Sequence, residues 1–191
     1  RVARFLDQGI SPESIYLVTF TNRAARELLE RVEELVGPMA RQVVGGTFHS
    51  VANQILRRHA EAVGYRENFS ILDGPDAREV MAAAIVDANI SVNKSRFPKP
   101  EVVLDLASAA INTQTPVREV VADRHPRFFH IADEIASACR AYIERKAEMN
   151  LMDFDDLLMN WKVLLEEVAP VASHLQNGCK AILVDEYQDT N

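Results

Sequence analysis

The chain has 191 residues, of which 48% are hydrophobic, and its formal net charge at pH 7 is −7. This length and apolar content are enough for one large or two small domains with a buried core. The negative charge excludes a generally basic surface, so any contact with nucleic acid must use a local groove.

The two cysteines, Cys139 and Cys179, lie far apart and have neither Cys-x-x-Cys spacing nor a paired histidine pattern. This arrangement favours reduced thiols over a disulfide or a zinc site. No apolar run approaches the ~20 residues of a membrane span, and no charged-then-apolar leader opens the chain. We therefore predict a cytoplasmic protein without membrane contact.

Both ends of the chain look cut. Residues 1–8 have the apolar spacing of a helix that stops at Gly9, yet no capping residue or strand precedes them. The other end stops a few residues after an acidic pair, which leaves few strands for an α/β sheet. We expect the sequence to be a piece of a larger protein.

Two strand-helix units follow. Residues 15–20 form a short apolar and β-branched run, and a helical pattern capped by Thr21 or Asn22 continues to Gly37. Residues 42–48 form a second strand candidate that contains two glycines and leads into another helical pattern. Consecutive units of this kind predict a parallel sheet.

Residues 74–150 show helical periodicity only, with helix starts at Gly74-Pro75 and Pro100. A further helix opens at Asp153 and leads towards a final strand. The fold class predicted from these patterns is α/β: a parallel sheet built from residues 1–73 and 151–191, with an inserted all-helical subdomain at 74–150.

The final strand ends in two adjacent carboxylates. Residues 181–184 are apolar and run directly into Asp185 and Glu186, as a buried parallel strand does when its carboxyl end faces a ligand. One carboxylate can hold Mg²⁺ while its neighbour orients a hydrolytic water. An aspartate that caps a turn is the alternative; the polar run from Gln188 to Asn191 favours the chemical interpretation.

Three polar turns therefore follow strands of one predicted sheet, at 19–22, 47–50 and 185–191. In an open α/β sheet such turns meet at one edge, where ligands bind. Phe20 and Phe48 offer flat faces on which bases stack, and hydroxyls, amides and helix N-termini suit phosphate oxygens. Core packing is the alternative role for both phenylalanines, and His49 is a further candidate for a nucleic-acid contact.

Taken together, four segments closely resemble motifs of superfamily 1 DNA helicases of the UvrD/Rep/PcrA type. They are TFTNRAARE at 19–27, GTFHS at 46–50, DFDDLL at 153–158 and LVDEYQDTN at 183–191. The resemblance runs in order over the whole chain, although it is thin through residues 80–140. It implies a partial RecA-like sheet of the P-loop NTPase type (subdomain 1A) and an inserted subdomain 1B.

The resemblance also implies roles for individual residues. Asp185 would hold the Mg²⁺ of bound ATP, Glu186 would activate the attacking water, and Gln188 would sense the γ-phosphate. The residues implied to line the single-stranded DNA track are Phe20, Thr21, Asn22, Thr47, Phe48 and His49. The implied function is 3′-to-5′ translocation driven by Mg-ATP hydrolysis, with unwinding of duplex at single/double-strand junctions, as in DNA repair.

One departure from the family pattern matters for activity. The family's phosphate-binding loop, Gly-x-x-Gly-x-Gly-Lys-Thr, and every motif after 183–191 are missing from these residues. Since nothing else here would hold the β- and γ-phosphates, we expect the 191 residues alone to be inactive as an ATPase. A non-catalytic scaffold, or a module that binds DNA or a partner, is the alternative that keeps the fold without the chemistry.

A metal-dependent phosphatase with Asp153 and Asp155 as paired carboxylates is a second rival. That chemistry places the pair after a strand, whereas residues 136–148 are strongly helical. We favour a structural role instead, with Asp153 as the N-cap of the helix that follows and acidic residues in its first turn.

Overall fold

The computed structural model describes residues 1–90 and 97–189. Their contacts divide the chain into two compact units: unit 1 comprises residues 1–63 and 160–191, and unit 2 comprises residues 64–159. The division between subdomains at residues 73/74 and 150/151 stays a prediction. The fold is a mostly helical α/β structure with a small parallel sheet, as the periodicity predicts.

Unit 1 is built on a three-stranded parallel sheet whose strands are β1 (Ile15–Thr19), β2 (Val44–Thr47) and β5 (Ala181–Val184). Their order in the sheet is β2-β1-β5. The helices are α1 (Val2–Asp7), α2 (Asn22–Val36), α3 (Phe48–His59) and α9 (Ala169–Gly178). Both predicted strand-helix units are confirmed, and α9 was not predicted.

The core of unit 1 forms where β1 meets the helices beside it. Ile15, Leu17 and Val43 are buried, and they pack with half-buried side chains of α2 such as Leu28 and Val32. Helix α2 ends at Gly37, whose φ of 74° lies in the left-handed region that glycine adopts without steric cost. The predicted end of this helix is therefore confirmed.

In its described residues, unit 2 packs four helices around its own core: α4 (Gly74–Asp87), α5 (Pro100–Thr113), α6 (Val117–Arg124) and α7 (Ala132–Glu148). Short helical turns of 3₁₀ type precede or connect several elements, among them Pro126–Ile131 before α7. Helix α8 (Phe154–Glu166) begins after Asp153. The helix starts predicted at Gly74 and Pro100 are confirmed, and α6 was not predicted.

An all-helical inserted subdomain is not confirmed. Unit 2 also contains two short strands, β3 (Ser70–Ile71) and β4 (Leu151–Met152), which pair in parallel. The backbone N–H of Leu72 donates to the carbonyl oxygen of Met152 at 2.8 Å. The segments that lead into and out of the helical region therefore lie side by side, and their backbone N–H and C=O groups form hydrogen bonds with each other.

Candidate functional site

The carboxyl ends of the three strands of unit 1 lie at one edge of the sheet. In the parallel register Thr19 pairs with Thr47, and Val18 pairs with Val184. The backbone N–H of Asp185 continues this pairing by donating to the carbonyl oxygen of Val18 at 2.9 Å. The three polar turns picked out in the sequence therefore follow neighbouring strands, as expected for an open α/β sheet.

Two phenylalanines stand together at this edge. The ring centroids of Phe20 and Phe48 are 5.5 Å apart, and their planes are tilted by 55°. Phe20 keeps 40% of its surface exposed, and Phe48 is half-buried. Tilted aromatic pairs at this distance attract each other through their ring quadrupoles. The pair thus offers an exposed aromatic surface supported by a second ring.

The two threonines of these turns cap the helices that follow. The side-chain oxygen of Thr21 accepts from the backbone N–H of Ala24 at 3.1 Å, and that of Thr47 accepts from Ser50 at 3.2 Å. Thr21 and Asn22 are exposed, whereas Thr47 is only 8% exposed. Thr47 is therefore buried, and its hydroxyl stabilises the first turn of α3 as an N-cap.

Gly46 is a site residue that the sequence analysis did not assign. A Cβ atom at this position would lie 2.2 Å from the Oγ of Ser50, which donates a hydrogen bond to the carbonyl oxygen of Thr47 at 2.9 Å. Because Gly46 has no side chain, α3 can begin immediately after β2 and pack closely against its end. A glycine inside a strand candidate is the sequence signal for such close approach.

The acidic pair lies at the end of β5. Asp185 is half-buried, and Glu186 is exposed with a φ of 50°, in the left-handed region that costs a non-glycine residue free energy. The side-chain amide of Gln188 donates to a carboxylate oxygen of Glu186. The hydrogen bond from Gln188 thus orients the carboxylate of Glu186. Thr190 and Asn191 of this motif lie outside the described residues.

The donor set at this edge suits Mg²⁺. The ion is bound in proteins by one or two carboxylates together with waters and substrate phosphates, and Asp185 supplies one such carboxylate at an accessible position. Within the described residues no group of three or more His, Cys, Asp or Glu side chains is placed to hold a metal by itself. A metal at Asp185 would therefore be shared with substrate oxygens.

Unit 2 contains a second acidic pair with a different environment. The Nζ of Lys146 lies 2.6 Å from the Oδ2 atoms of Asp153 and Asp156, and the Lys146 residue is fully buried. Asp153 and Asp156 also form a reciprocal cap, in which each carboxylate accepts from the other's backbone N–H at 2.9 Å. The prediction of Asp153 as the N-cap of α8 is confirmed.

These contacts explain the electrostatics of the pair. Burial opposes ionisation of Asp153, but the charge of Lys146 and the hydrogen bonds from Lys146, Asp156 and Tyr142 outweigh it and lower the pKa of Asp153. Burial dominates at Asp156 and raises the pKa of that carboxyl. Asp155 instead accepts from the side chain of Asn112 at 3.1 Å. These three carboxylates already bind side chains of the protein itself. This argues against the phosphatase alternative, in which Asp153 and Asp155 would act on a substrate.

The family model described as the UvrD/REP helicase N-terminal domain matches residues 1–191. The proteins named ATP-dependent DNA helicase PcrA from Staphylococcus aureus and Staphylococcus epidermidis are each 35% identical to this chain over 195 and 192 residues, respectively. Both matches cover 100% of this chain, which spans 26% of each relative's length. In the part of the chain that the structure describes, no helix is long and apolar enough to cross a membrane.

Proposed function

The chain belongs to the UvrD/REP helicase N-terminal domain family, and on that premise we propose that it is part of an ATP-dependent DNA helicase that moves 3′ to 5′ on single-stranded DNA. The relatives named above are called ATP-dependent DNA helicases, and the 3′-to-5′ direction is part of the proposal. The observation that supports the proposal best is the placement of the acidic pair and the Phe20–Phe48 pair at the carboxyl edge of one parallel sheet.

ATP hydrolysis is assigned to the acidic pair. Asp185 would hold Mg²⁺, which when bound supplies positive charge that stabilises the phosphate oxygens. Glu186 is the general base that takes a proton from the attacking water, and its exposure leaves room for that water. Gln188, which donates a hydrogen bond to Glu186, would detect the γ-phosphate and couple its loss to movement.

The DNA track is assigned to the neighbouring turns. Phe20 and Phe48 stack on bases, a contact that tolerates any sequence because every base has a flat face. Thr21, Asn22 and His49 contact the phosphate backbone near the N-termini of α2 and α3. Thr47 is buried below these residues and caps the N-terminus of α3 with its side-chain oxygen. The partners are single-stranded DNA and its junctions with duplex, in a cytoplasmic protein of DNA repair.

The finer architecture is also part of the proposal. Residues 1–73 and 151–191 belong to a RecA-like subdomain 1A, and residues 74–150 belong to subdomain 1B. The 191 residues contain no Gly-x-x-Gly-x-Gly-Lys-Thr loop, so nothing among them cradles the β- and γ-phosphates. We expect these residues by themselves to show negligible ATPase activity and weak, salt-sensitive DNA binding.

The test uses the complete protein that contains this chain. Glu186→Gln should bind ATP normally but lose single-strand-stimulated hydrolysis by at least about 100-fold, because the positioned base is removed. Glu34→Gln, which changes an exposed glutamate of α2 in the same way, is the matched control and should keep full activity. Wild-type turnover in Glu186→Gln would reject the assignment and favour a non-catalytic scaffold or binding module.

A further inference from the structure

Unit 2 carries an open groove that the proposed chemistry does not use. The groove has a volume of about 520 Å³ and is lined by α4, α5, α7, the first residues of α6 and α8, and the segments that precede α4, α6 and α8. Its floor is mainly apolar and includes Ala77, Leu104, Ala107, Ile111, Cys139 and Ile143. Ile143 is 49% exposed, so part of this apolar floor is open to solvent. A concave apolar surface of this size is typical of a binding site.

Carboxylates surround the apolar floor. Asp73, Glu101, Asp105 and Asp155 all line the groove, and the first three are exposed. Glu101 and Asp105 lie four residues apart on α5, so they stand on the same face of that helix. Together these residues give the rim a run of negative charge.

Few cations balance this rim. Among the described residues that line the groove, Arg78 and Lys146 are the basic ones. The ammonium of Lys146 is already neutralised, because it lies 2.6 Å from the carboxylates of both Asp153 and Asp156. The net field over the groove is therefore negative, which repels nucleic-acid phosphates and attracts cationic side chains.

We propose that this groove binds a helical segment of a partner protein that has apolar side chains on one face and lysine or arginine residues along its flanks. An amphipathic helix inserts its apolar face into such a floor. Long basic side chains can pack their stems along the floor and reach the carboxylates at the rim with their charged ends. The groove thus gives an otherwise DNA-directed protein a separate surface for a protein partner.

The experiment measures binding of a fluorescent amphipathic leucine-lysine peptide of about 18 residues, long enough to form a helix by itself, to the 191-residue chain. The double variant Glu101→Lys/Asp105→Lys should weaken binding by about tenfold or more, since attraction at two rim positions becomes repulsion. Ile143→Gln should weaken binding through loss of apolar contact. Circular dichroism and thermal unfolding would show that each variant is folded.

Matched controls separate the groove from bulk charge. Glu119→Lys/Asp123→Lys changes an exposed pair with the same residue types and spacing on α6, outside the groove, and should leave binding nearly unchanged. Val86→Gln, at an exposed position of α4 outside the groove, is the control for Ile143→Gln.

Four results would overturn the proposal. The first three are absence of binding to the wild-type chain, equal loss in the groove variants and their controls, and equal binding of a scrambled peptide that has no apolar face. Displacement of the peptide from the wild-type chain by a single-stranded oligonucleotide would assign the groove to nucleic acid instead, which also contradicts a protein-binding role.

Discussion

The two acidic pairs of this chain have similar residue types but different surroundings. Asp185 and Glu186 are adjacent, lie at an open sheet edge of unit 1 and have Gln188 as a neighbour. Asp153 and Asp156 cap the start of α8 and enclose the ammonium of Lys146. In the described residues no protein cation forms an ion pair with Asp185 or Glu186, so these carboxylates remain available for chemistry, whereas Asp153 and Asp156 are already paired with Lys146.

The cost of burial explains why the second pair is structural. A lysine with no exposed surface is stable only when opposite charges and hydrogen bonds replace its hydration. Asp153 and Asp156 provide that replacement, and the hydroxyl of Tyr142 donates to Asp153 at 2.9 Å. A carboxylate engaged in this way cannot take on a metal ion or a water without exposing a buried charge.

The largest effect is expected when Lys146 is replaced. Lys146→Met should lower the free energy of unfolding by about 3–5 kcal/mol, because two half-buried carboxylates lose their counter-charge. Lys99→Met, at an exposed lysine of the same unit, should change it by less than about 0.5 kcal/mol, and so should Asp185→Asn at the other pair. Urea unfolding measures all three.

A triple variant tests whether the stability lost in Lys146→Met comes from the two uncompensated carboxylates. Combining Lys146→Met with Asp153→Asn and Asp156→Asn removes the uncompensated charges, so it should recover part of the lost stability. Equal losses for Lys146→Met and Lys99→Met would show that the buried network contributes no more than a surface lysine.

A smaller effect on stability is expected at Gly46. This glycine allows β2 to pack closely against the first turn of α3 at the edge of the sheet, and no ion pair is involved. Gly46→Ala should cost about 1–3 kcal/mol of stability and weaken binding of single-stranded DNA, because the new Cβ lies 2.2 Å from the Oγ of Ser50. Gly178→Ala is the matched control, since nothing lies within 4 Å of the added Cβ.

The double variant Gly46→Ala/Ser50→Ala identifies the cause. Without the hydroxyl, the nearest atom is the Cβ of residue 50 at 3.4 Å, an ordinary contact. The double variant should therefore be about as stable as Ser50→Ala alone, which loses the hydrogen bond to Thr47. Strictly additive losses from Gly46→Ala and Ser50→Ala would speak against this steric explanation.

The smallest effect concerns alkaline pH. Burial, with the nearby charge of Asp153 and the hydrogen bond to it, raises the pKa of Tyr142 above its ordinary value of 10.0. Above about pH 10 the unfolded chain ionises this tyrosine while the folded chain does not, so stability falls with rising pH by at most about 1.4 kcal/mol per pH unit.

The variant Tyr142→Phe tests that contribution. Its unfolding free energy should fall less steeply above pH 10 than that of the wild-type chain, and the remaining decline comes in part from Tyr65, whose pKa burial raises to about 12. Parallel pH profiles for the two proteins would contradict the assignment. Unfolding followed by circular dichroism at several alkaline pH values provides the comparison.

Local patterns predicted much of unit 1 because they concern neighbours in the chain. Thr21 caps α2 and Gly37 ends it, as their side chains and backbone preferences indicate. Asp153 caps α8 for the same reason. The short helices α6 and α9 were not predicted, because neither has a side-chain cap or a strong apolar stripe to mark it.

The candidate site was predicted less completely. The sequence identified Phe20, Phe48 and Asp185 as separate candidates and placed them at one edge from a general rule about parallel sheets. It did not predict that Lys146 would be buried, because a lysine between glutamates and alanines of a helix reads as solvent-exposed. The role of Gly46 also depends on an atom of another element, the Oγ of Ser50.

The strand-helix units, their caps and the acidic end of β5 follow from local sequence patterns, because hydrophobic period and capping chemistry act over a few residues. Which carboxylates are open and which are occupied depends on tertiary packing. That outcome depends on strand order, which brings Asp185 beside Val18, and on helix packing, which buries Lys146 between Asp153 and Asp156. Contacts between distant residues depend on how whole elements pack, and no local pattern encodes them.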